Sequence, residues 1–232
     1  MDQLNGLLFY SWEELPFVFL ALVVGFTVHE FAHAYTAYKF GDPTPKNMGR
    51  VTLNPRYHLS LFGTIMIFLI GFGWPKGVLI DRRNFKNPRL MDIIVTAAGP
   101  VSNLIIAFIG LLLVFLFQAF DLKDSISGGS AQAILLFLGL LIQLNMMLFI
   151  FNLIPLPPLD GYGIVKNFLP LRTQLKISQY EQWGIYVFLL IVFLPPLKKV
   201  TIYPLYSLSN SILKGMNDLL AVFFGFSILP SY

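Results

Sequence analysis

Long apolar runs separated by short polar loops set the hydropathy pattern of this chain. Three of these runs, at residues 16–38, 93–120 and 131–153, match or exceed the length of about 20 residues that an α-helix needs to cross a bilayer. The second and third runs carry no charged side chain at all. The pattern therefore predicts three membrane-spanning helices.

The remaining apolar segments are shorter or more polar. Residues 59–74 are apolar but short and rich in glycine, which suits a re-entrant hairpin better than a full crossing. Residues 48–54, just before them, have the composition of a short strand, and two further apolar segments occupy residues 183–197 and 203–229. The predicted fold is an all-α polytopic membrane protein with roughly five to six membrane segments and a re-entrant or short β element near residues 46–74.

Composition supports an integral membrane protein. Of 232 residues, 56% are hydrophobic and 12% are charged, whereas a soluble domain carries about 25% charged residues. The net charge of +4 is too small to suggest nucleic-acid binding. We expect one membrane-embedded domain over residues 1–232, with a core at residues 15–170 and further membrane segments in residues 171–232.

The first apolar run contains an ionisable motif. His29 and His33 are four residues apart, and Glu30 follows the first histidine. On a helix such a pair lies on one face, so both imidazoles can reach one metal ion while Glu30 takes a proton from a metal-bound water. This H-E-x-x-H spacing is typical of zinc metalloproteases. A chance match, such as a core histidine, is the alternative, but ionisable groups at membrane depth are costly and generally functional.

A catalytic zinc ion usually has three protein ligands and one open position. The chain contains no cysteine, so the third ligand must be His, Asp or Glu. Asp160 is the best candidate because it follows three prolines at the end of an apolar run, on a stiff segment that cannot be regular helix. The alternative is that Asp160 and Gly161 form an ordinary exit turn. Spacing alone does not decide between the two.

Charge in the loops predicts the orientation. Residues 39–57, 75–92 and 161–182 are rich in Lys and Arg, whereas the N-terminus and residues 121–130 are net acidic. By the positive-inside rule the basic loops face the cytoplasm and the N-terminus lies outside. His29, His33 and Asp160 would then all lie towards the cytoplasmic side of the membrane. We expect the protein to be an integral protein of a prokaryotic cell membrane.

Several motifs together resemble the site-2 protease family of intramembrane zinc metalloproteases. They are the histidine motif at residues 29–33, Gly-Arg-Val-Thr-Leu-Asn-Pro at residues 49–55, Ala-Gly-Pro-Val-Ser-Asn at residues 98–103 and Asn-Leu-Ile-Pro-Leu-Pro-Pro-Leu-Asp-Gly at residues 152–161. The resemblance covers roughly residues 25–170 and points to a minimal form without a PDZ or CBS domain. Ser60 and Leu61 depart from it, since relatives often have Asp-Pro there.

The resemblance implies roles for individual residues. His29, His33 and Asp160 are the expected zinc ligands, and Glu30 is the expected general base. Asn152 is predicted to donate to the substrate backbone or the oxyanion, and an interhelical hydrogen bond is the alternative. The predicted substrate-binding residues are Gly49, Arg50, Val51, Asn54 and Asn103. For Asn103 an interhelical hydrogen bond is an equally good interpretation.

The predicted activity is hydrolysis of a peptide bond in or near a transmembrane segment of a membrane protein. We hypothesise that residues 49–54 offer a strand edge to an unwound substrate, a plain structural strand being the alternative. For His58 we expect a structural contact or a role in substrate or water access in preference to metal ligation. Zn²⁺ is the expected cofactor. Expected partners are a transmembrane substrate, the lipid bilayer and, as a further candidate, a membrane regulator.

Two other functions fit parts of the pattern. A membrane metal transporter could use the same ligands, but it would not need Glu30 beside the histidine and usually shows repeated halves, which are not visible here. A catalytically silent membrane scaffold is disfavoured because ligands and base are both present.

Overall fold

The protein is almost entirely helical in a computed structural model that describes residues 10–70 and 73–229. The helices are α1 Leu15–Lys39, α2 Thr44–Asn47, α3 Leu61–Ile70, α4 Pro88–Ala119, α5 Leu122–Ser125, α6 Gly128–Asn152, α7 Asp160–Phe168, α8 Leu171–Ser178, α9 Glu181–Phe193 and α10 Pro195–Phe224. Short 3₁₀ turns lie at Pro55–Tyr57 and Arg82–Asn84.

Three helices, α1, α4 and α6, are long and apolar enough to cross a membrane. They coincide with the three long apolar runs, so that part of the prediction is confirmed. Their ends follow local chemistry. Pro16 and Pro88 lie in the first turns of α1 and α4, where a missing N–H costs nothing. The Ser127 hydroxyl caps α6 by accepting from the Ser130 N–H at 3.2 Å.

The three long helices pack against one another and form the core. Close approach depends on small residues at two crossings. A Cβ added at Gly25 of α1 would lie 3.0 Å from Leu148 Cδ1 of α6. A Cβ at Gly110 of α4 would lie 2.9 Å from Ile142 Cγ1. Since lipid gives helices no hydrophobic reason to associate, such close van der Waals packing is what holds them together.

The start of the glycine-rich segment, at residues 58–63, lies close to residues 74–76. The backbone of Trp74 lies against Gly63 of α3, and the Lys76 N–H donates to the His58 carbonyl at 2.7 Å. The two ends of the predicted re-entrant segment therefore lie side by side. Whether it enters the bilayer stays a prediction.

The predicted strand at residues 48–54 is wrong for the part of the chain that the structure describes, because residues 10–70 and 73–229 contain no strand. Gly49 adopts a left-handed conformation with φ +68°, and the Pro55–Tyr57 turn follows. A segment bent at both ends has no room for a β ladder. The predicted residues of this segment consequently lie in an irregular loop.

The C-terminal part leaves the expected number of crossings unconfirmed. The two segments predicted there correspond to α9 and α10, but neither is both long enough and apolar enough to count as a span by length and composition. The figure of five to six membrane segments therefore remains a prediction. Close packing of Gly184 against Pro157 places α9 beside the segment that leads into α7.

Candidate metal centre

The two histidines of α1 point into the core of the helix bundle. His29 and His33 are buried, and their Nε2 atoms lie 3.1 Å apart. The i, i+4 spacing puts both rings on one face of the helix, as the sequence predicted.

Asp160 completes a cluster of three ligand atoms. It lies in the first turn of α7, directly after the proline-rich segment that follows α6. Its Oδ2 atom is 3.1 Å from His29 Nε2 and 3.4 Å from His33 Nε2. The structure thus brings together three residues from distant parts of the sequence, with their ligand atoms within 4.8 Å of one another.

Hydrogen bonds on the far side of each ring select the tautomer. His29 Nδ1 lies 2.7 Å from Asn103 Oδ1, and His33 Nδ1 lies 2.7 Å from the Val95 carbonyl oxygen. Both partners are acceptors, so each Nδ1 carries the proton and each Nε2 is left with a lone pair.

Those lone pairs converge on one point. Asp160 Oδ2 is buried and has no hydrogen-bond partner among the residues described. Two unprotonated nitrogens and one carboxylate oxygen facing each other are poorly satisfied by themselves but fit a divalent cation. This donor set of two imidazoles and a carboxylate suits zinc, with room in the coordination sphere for a water molecule.

Gly99 of α4 makes the space for the two imidazoles. A Cβ at this position would overlap His33 Nε2 and would lie 2.7 Å from His29 Cε1. The glycine therefore lets α4 approach the ligand face of α1 closely. The sequence pointed to this Gly-Pro motif only as part of the family resemblance, and the structure shows which side chains the glycine accommodates.

Glu30 is buried beside the ligands and faces the loop that follows α1. Its Oε2 atom lies 3.6 Å from Arg50 Nη2, an ion-pair distance, and Arg50 is buried as well. Arg50 also donates to the Lys76 carbonyl. Burial lowers the pKa of the guanidinium, and the Glu30 carboxylate opposes this shift, so Arg50 keeps its charge.

The other predicted site residues differ in burial and in hydrogen-bond partners. Val51 is half-buried and Asn54 is exposed, where its side chain accepts from the Arg56 N–H at 3.1 Å. Asn152 is half-buried and donates to the Leu148 carbonyl of its own helix at 2.9 Å. Asn103 is fully buried between helices, with its amide engaged by His29 and by two further partners.

His58 lies in the same loop as Arg50 and takes no part in the metal cluster. It is fully buried, and its Nε2 donates to the Thr52 carbonyl at 2.7 Å. These contacts fit a structural residue, and the alternative role in substrate or water access stays a prediction.

The chain matches the model of peptidase family M50 over residues 17–195. The chain belongs to this family, the site-2 protease family. The match includes all three candidate ligands and Glu30. The resemblance read from the motifs is confirmed, and the protein is a zinc metalloprotease of site-2 protease type.

Curated relatives are similar over most of their length. The chain is 46% identical to "Putative zinc metalloprotease YwhC" of Bacillus subtilis, over 91% of this chain and 95% of that protein. It is 33% identical to "Putative zinc metalloprotease Rip2" of Mycolicibacterium smegmatis, over 78% of this chain and 70% of that protein. It is 35% identical to "Putative zinc metalloprotease Rip2" of Mycobacterium tuberculosis, over 77% of this chain and 68% of that protein. No solved structure matches the chain significantly.

Two groups that contact the site residues were not found from the sequence. One is the Val95 carbonyl, which accepts from His33, and the other is Asn145, which accepts from Asn103. A backbone carbonyl cannot be recognised from the identity of its residue. Asn145 can be recognised, because it is an amide in the middle of an uncharged apolar run. A search for polar residues at membrane depth would have found it.

Proposed function

We propose that this protein is an intramembrane protease that hydrolyses a peptide bond in or near a transmembrane segment of other membrane proteins. The supporting observation is the convergence of two unprotonated imidazole nitrogens and one carboxylate oxygen inside a bundle of membrane-length helices, with a second buried carboxylate, Glu30, next to them.

The roles follow from the positions. A zinc ion held by His29, His33 and Asp160 would supply Lewis acidity and lower the pKa of a bound water. Glu30 takes the proton from the attacking water and returns it to the leaving amine nitrogen. The water oxygen forms the new bond to the scissile carbonyl carbon, and the C–N bond breaks. The burial of His29, His33 and Glu30 strengthens each of these electrostatic interactions.

The substrate must present an extended peptide. A transmembrane helix hides its carbonyls in i→i+4 hydrogen bonds, so it has to unwind locally before attack. We assign the receiving surface to two places that border the centre. One is the loop with Gly49, Arg50, Val51 and Asn54. The other is a cavity of about 560 Å³ that is lined by Asp160 and the preceding prolines.

Asn152 is the proposed polar contact for the substrate. It ends α6, eight residues before the ligand Asp160, and its side chain is half-buried. Its amide can exchange the bond to the Leu148 carbonyl, a partner within its own helix, for a bond to a substrate carbonyl or the oxyanion.

We also propose the orientation given by the basic loops, with the N-terminus outside and the centre towards the cytoplasmic side of a prokaryotic cell membrane. The expected partners are transmembrane substrates and, as a further candidate, a membrane regulator. A substrate cleaved here would release its product on the cytoplasmic side.

Glu30→Gln tests the proposal. The substitution keeps the size and removes the base, so cleavage of a transmembrane reporter in detergent should fall by about 10²- to 10⁴-fold, whereas zinc content should stay at that of the wild type. Glu13→Gln, the same change at an exposed position just before α1, is the matched control and should leave both unchanged.

Asp160→Ala is the companion variant and should lose zinc. If Glu30→Gln still cleaves the reporter at the wild-type rate, Glu30 is not the base. A wild-type protein that binds no zinc after purification and reconstitution would defeat the proposal as a whole.

A further inference from the structure

A fully buried amide, Asn145, lies in the second half of α6, and no role has been assigned to it so far. Its Nδ2 donates to the Leu141 carbonyl at 2.9 Å, and its Oδ1 accepts from Asn103 Nδ2 at 2.9 Å. The nearby helix faces are apolar, so these contacts account for how a polar side chain is tolerated at membrane depth.

Asn103 carries the connection on to the metal centre. One Nδ2 hydrogen goes to Asn145 and the other goes to the Gly25 carbonyl at 3.2 Å. With both hydrogens used, the Oδ1 atom faces His29 Nδ1 at 2.7 Å. Asn103 therefore has no donor left for a substrate in this arrangement and acts on the ligand from behind.

The donor and acceptor in each of these hydrogen bonds are set by the Leu141 carbonyl, at the end of the series away from His29. The Leu141 carbonyl can only accept, so it determines which end of the Asn145 amide faces Asn103. That oxygen in turn confirms the orientation of the Asn103 amide. An Asn103 oxygen facing His29 requires a proton on Nδ1, and this leaves the Nε2 lone pair for a metal ion.

The packing of α1 is adjusted to this contact. A Cβ at Gly25 would lie 2.9 Å from Asn145 Oδ1, so a side chain there would push the amide away from Asn103. The same glycine supplies the carbonyl that holds the other Asn103 hydrogen. Three helices thus meet at one polar point directly behind His29.

We propose that Asn145 is a positioning residue for the metal centre, acting through Asn103 to hold His29 in the tautomer and orientation that bind zinc. The proposal rests on the zinc site of the proposed function, which it extends to a residue on the third membrane helix. It makes no assumption about the substrate.

Zinc affinity measures this role directly. Metal-depleted protein in detergent is titrated against a zinc chelator of known affinity. Asn145→Leu removes the acceptor and should weaken zinc binding on the order of tenfold, the lower end of the effect of outer-shell partners. Asn145→Asp, which is neutral when buried among apolar helices, keeps an oxygen facing Asn103 and an O–H for the Leu141 carbonyl, so it should retain most of the affinity. Gln143→Leu, an exposed amide on the same helix, is the matched control and should leave affinity unchanged.

A double-mutant cycle separates positioning from simple helix packing. If Asn145 acts through Asn103, then Asn103→Ala combined with Asn145→Leu should bind zinc no more weakly than Asn103→Ala alone. The absorption spectrum of the Co²⁺-substituted protein should change in Asn145→Leu, since it reports ligand geometry, and should not change in Gln143→Leu. Should Asn145→Leu fail to fold, Asn145→Ser enters the same cycle.

Two results would overturn the inference while leaving the zinc protease intact. One is wild-type zinc affinity in Asn145→Leu. The other is a double variant whose loss of affinity equals the sum of the two single losses. Absence of zinc binding in the wild type would instead count against the proposed function, so the two failures are distinguishable.

Discussion

The two sides of Glu30 are built differently. On the ligand side, His29 and His33 are each held by a buried hydrogen bond from a membrane-length helix. On the loop side, formed by residues 49–58 and 74–77, Glu30 faces Arg50 at 3.6 Å, and two buried nitrogens, Arg50 Nε and His58 Nδ1, have no hydrogen-bond partner among the described residues.

The difference indicates which side has to stay fixed and which has to adapt. A metal centre needs ligands held within a fraction of an ångström, which rigid helices and a supporting layer of hydrogen bonds provide. A binding surface for varied peptides needs polar groups that can exchange partners. Substitutions on the ligand side should therefore change metal binding, and those on the loop side should change catalysis or stability while zinc stays bound.

Gly99→Ala should have the largest effect. The added methyl group overlaps His33 Nε2 and contacts His29 Cε1, and neither ring can move without losing its Nδ1 hydrogen bond. Zinc affinity should fall by about 100-fold or more, at or beyond the upper end of the losses seen when supporting groups are removed. Isothermal titration or chelator competition on the metal-depleted protein measures this loss.

Gly139→Ala is the matched control for that variant. It lies on α6, and a Cβ there meets nothing within 4 Å, so zinc affinity should stay at the wild-type value. If Gly99→Ala binds zinc as tightly as Gly139→Ala does, the imidazoles of His29 and His33 are not packed against Gly99 as closely as the structure indicates.

The ligand side was largely predictable because it depends on short-range residue spacing and on long apolar runs, both of which can be recognised in the sequence. The spacing of His29 and His33 fixes their common face without any knowledge of the fold, and long uncharged runs fix the three membrane helices. Asp160 needed more, since the proline-rich segment alone left an exit turn as an equal alternative. The family resemblance decided in its favour, and in the structure its carboxylate lies beside both histidines.

The loop side was not predictable to the same degree. Its conformation depends on contacts between positions far apart in sequence, such as Arg50 with Glu30 and Lys76 with His58. A short segment of mixed polarity has no periodicity strong enough to exclude a strand, so the expected β element was wrong here. The pairing of Asn103 with Asn145, 42 residues apart, escaped for the same reason.

Arg50→Gln should distinguish the loop side from the ligand side, with a smaller effect than that of Gly99→Ala. It removes the cation opposite Glu30 and leaves a buried carboxylate without its partner, which costs about 3–5 kcal/mol in comparable buried pairs. We expect cleavage to fall by roughly 10- to 100-fold, an effect of the size of a lost charge-assisted contact, while zinc affinity changes little.

Arg50→Lys and Glu30→Gln complete this test. Lysine restores the charge without the planar fork and should recover part of the activity. Thermal stability should be higher in the double variant Arg50→Gln with Glu30→Gln than in Arg50→Gln alone, because the unpaired charge is gone. A loss of zinc affinity in Arg50→Gln as large as that in Gly99→Ala would break the distinction between the two sides.

The smallest effect concerns the response of the loop side to pH. Burial lowers the pKa of His58, and Arg50 lowers it further, although the bond to the Thr52 carbonyl acts in the opposite direction. A second proton would go to Nδ1, a buried atom with no acceptor among the described residues and with a cation nearby. Below its unfolded pKa of about 6.5, the unfolded chain therefore binds the proton more readily than the folded protein does.

This sign gives a direction for stability. Where the unfolded state binds more protons, stability rises with pH. The stabilising effect of neutral His58 is thus complete above about pH 6.5 and is lost as the pH falls through the lowered folded value. In metal-free protein, which removes the competing loss of zinc, the midpoint of thermal unfolding should drop by a few degrees more between pH 7.5 and pH 5 in the wild type than in His58→Gln. Equal drops in the two proteins would show that His58 is already exposed to water, and the loop side would then be a looser structure than its buried contacts indicate.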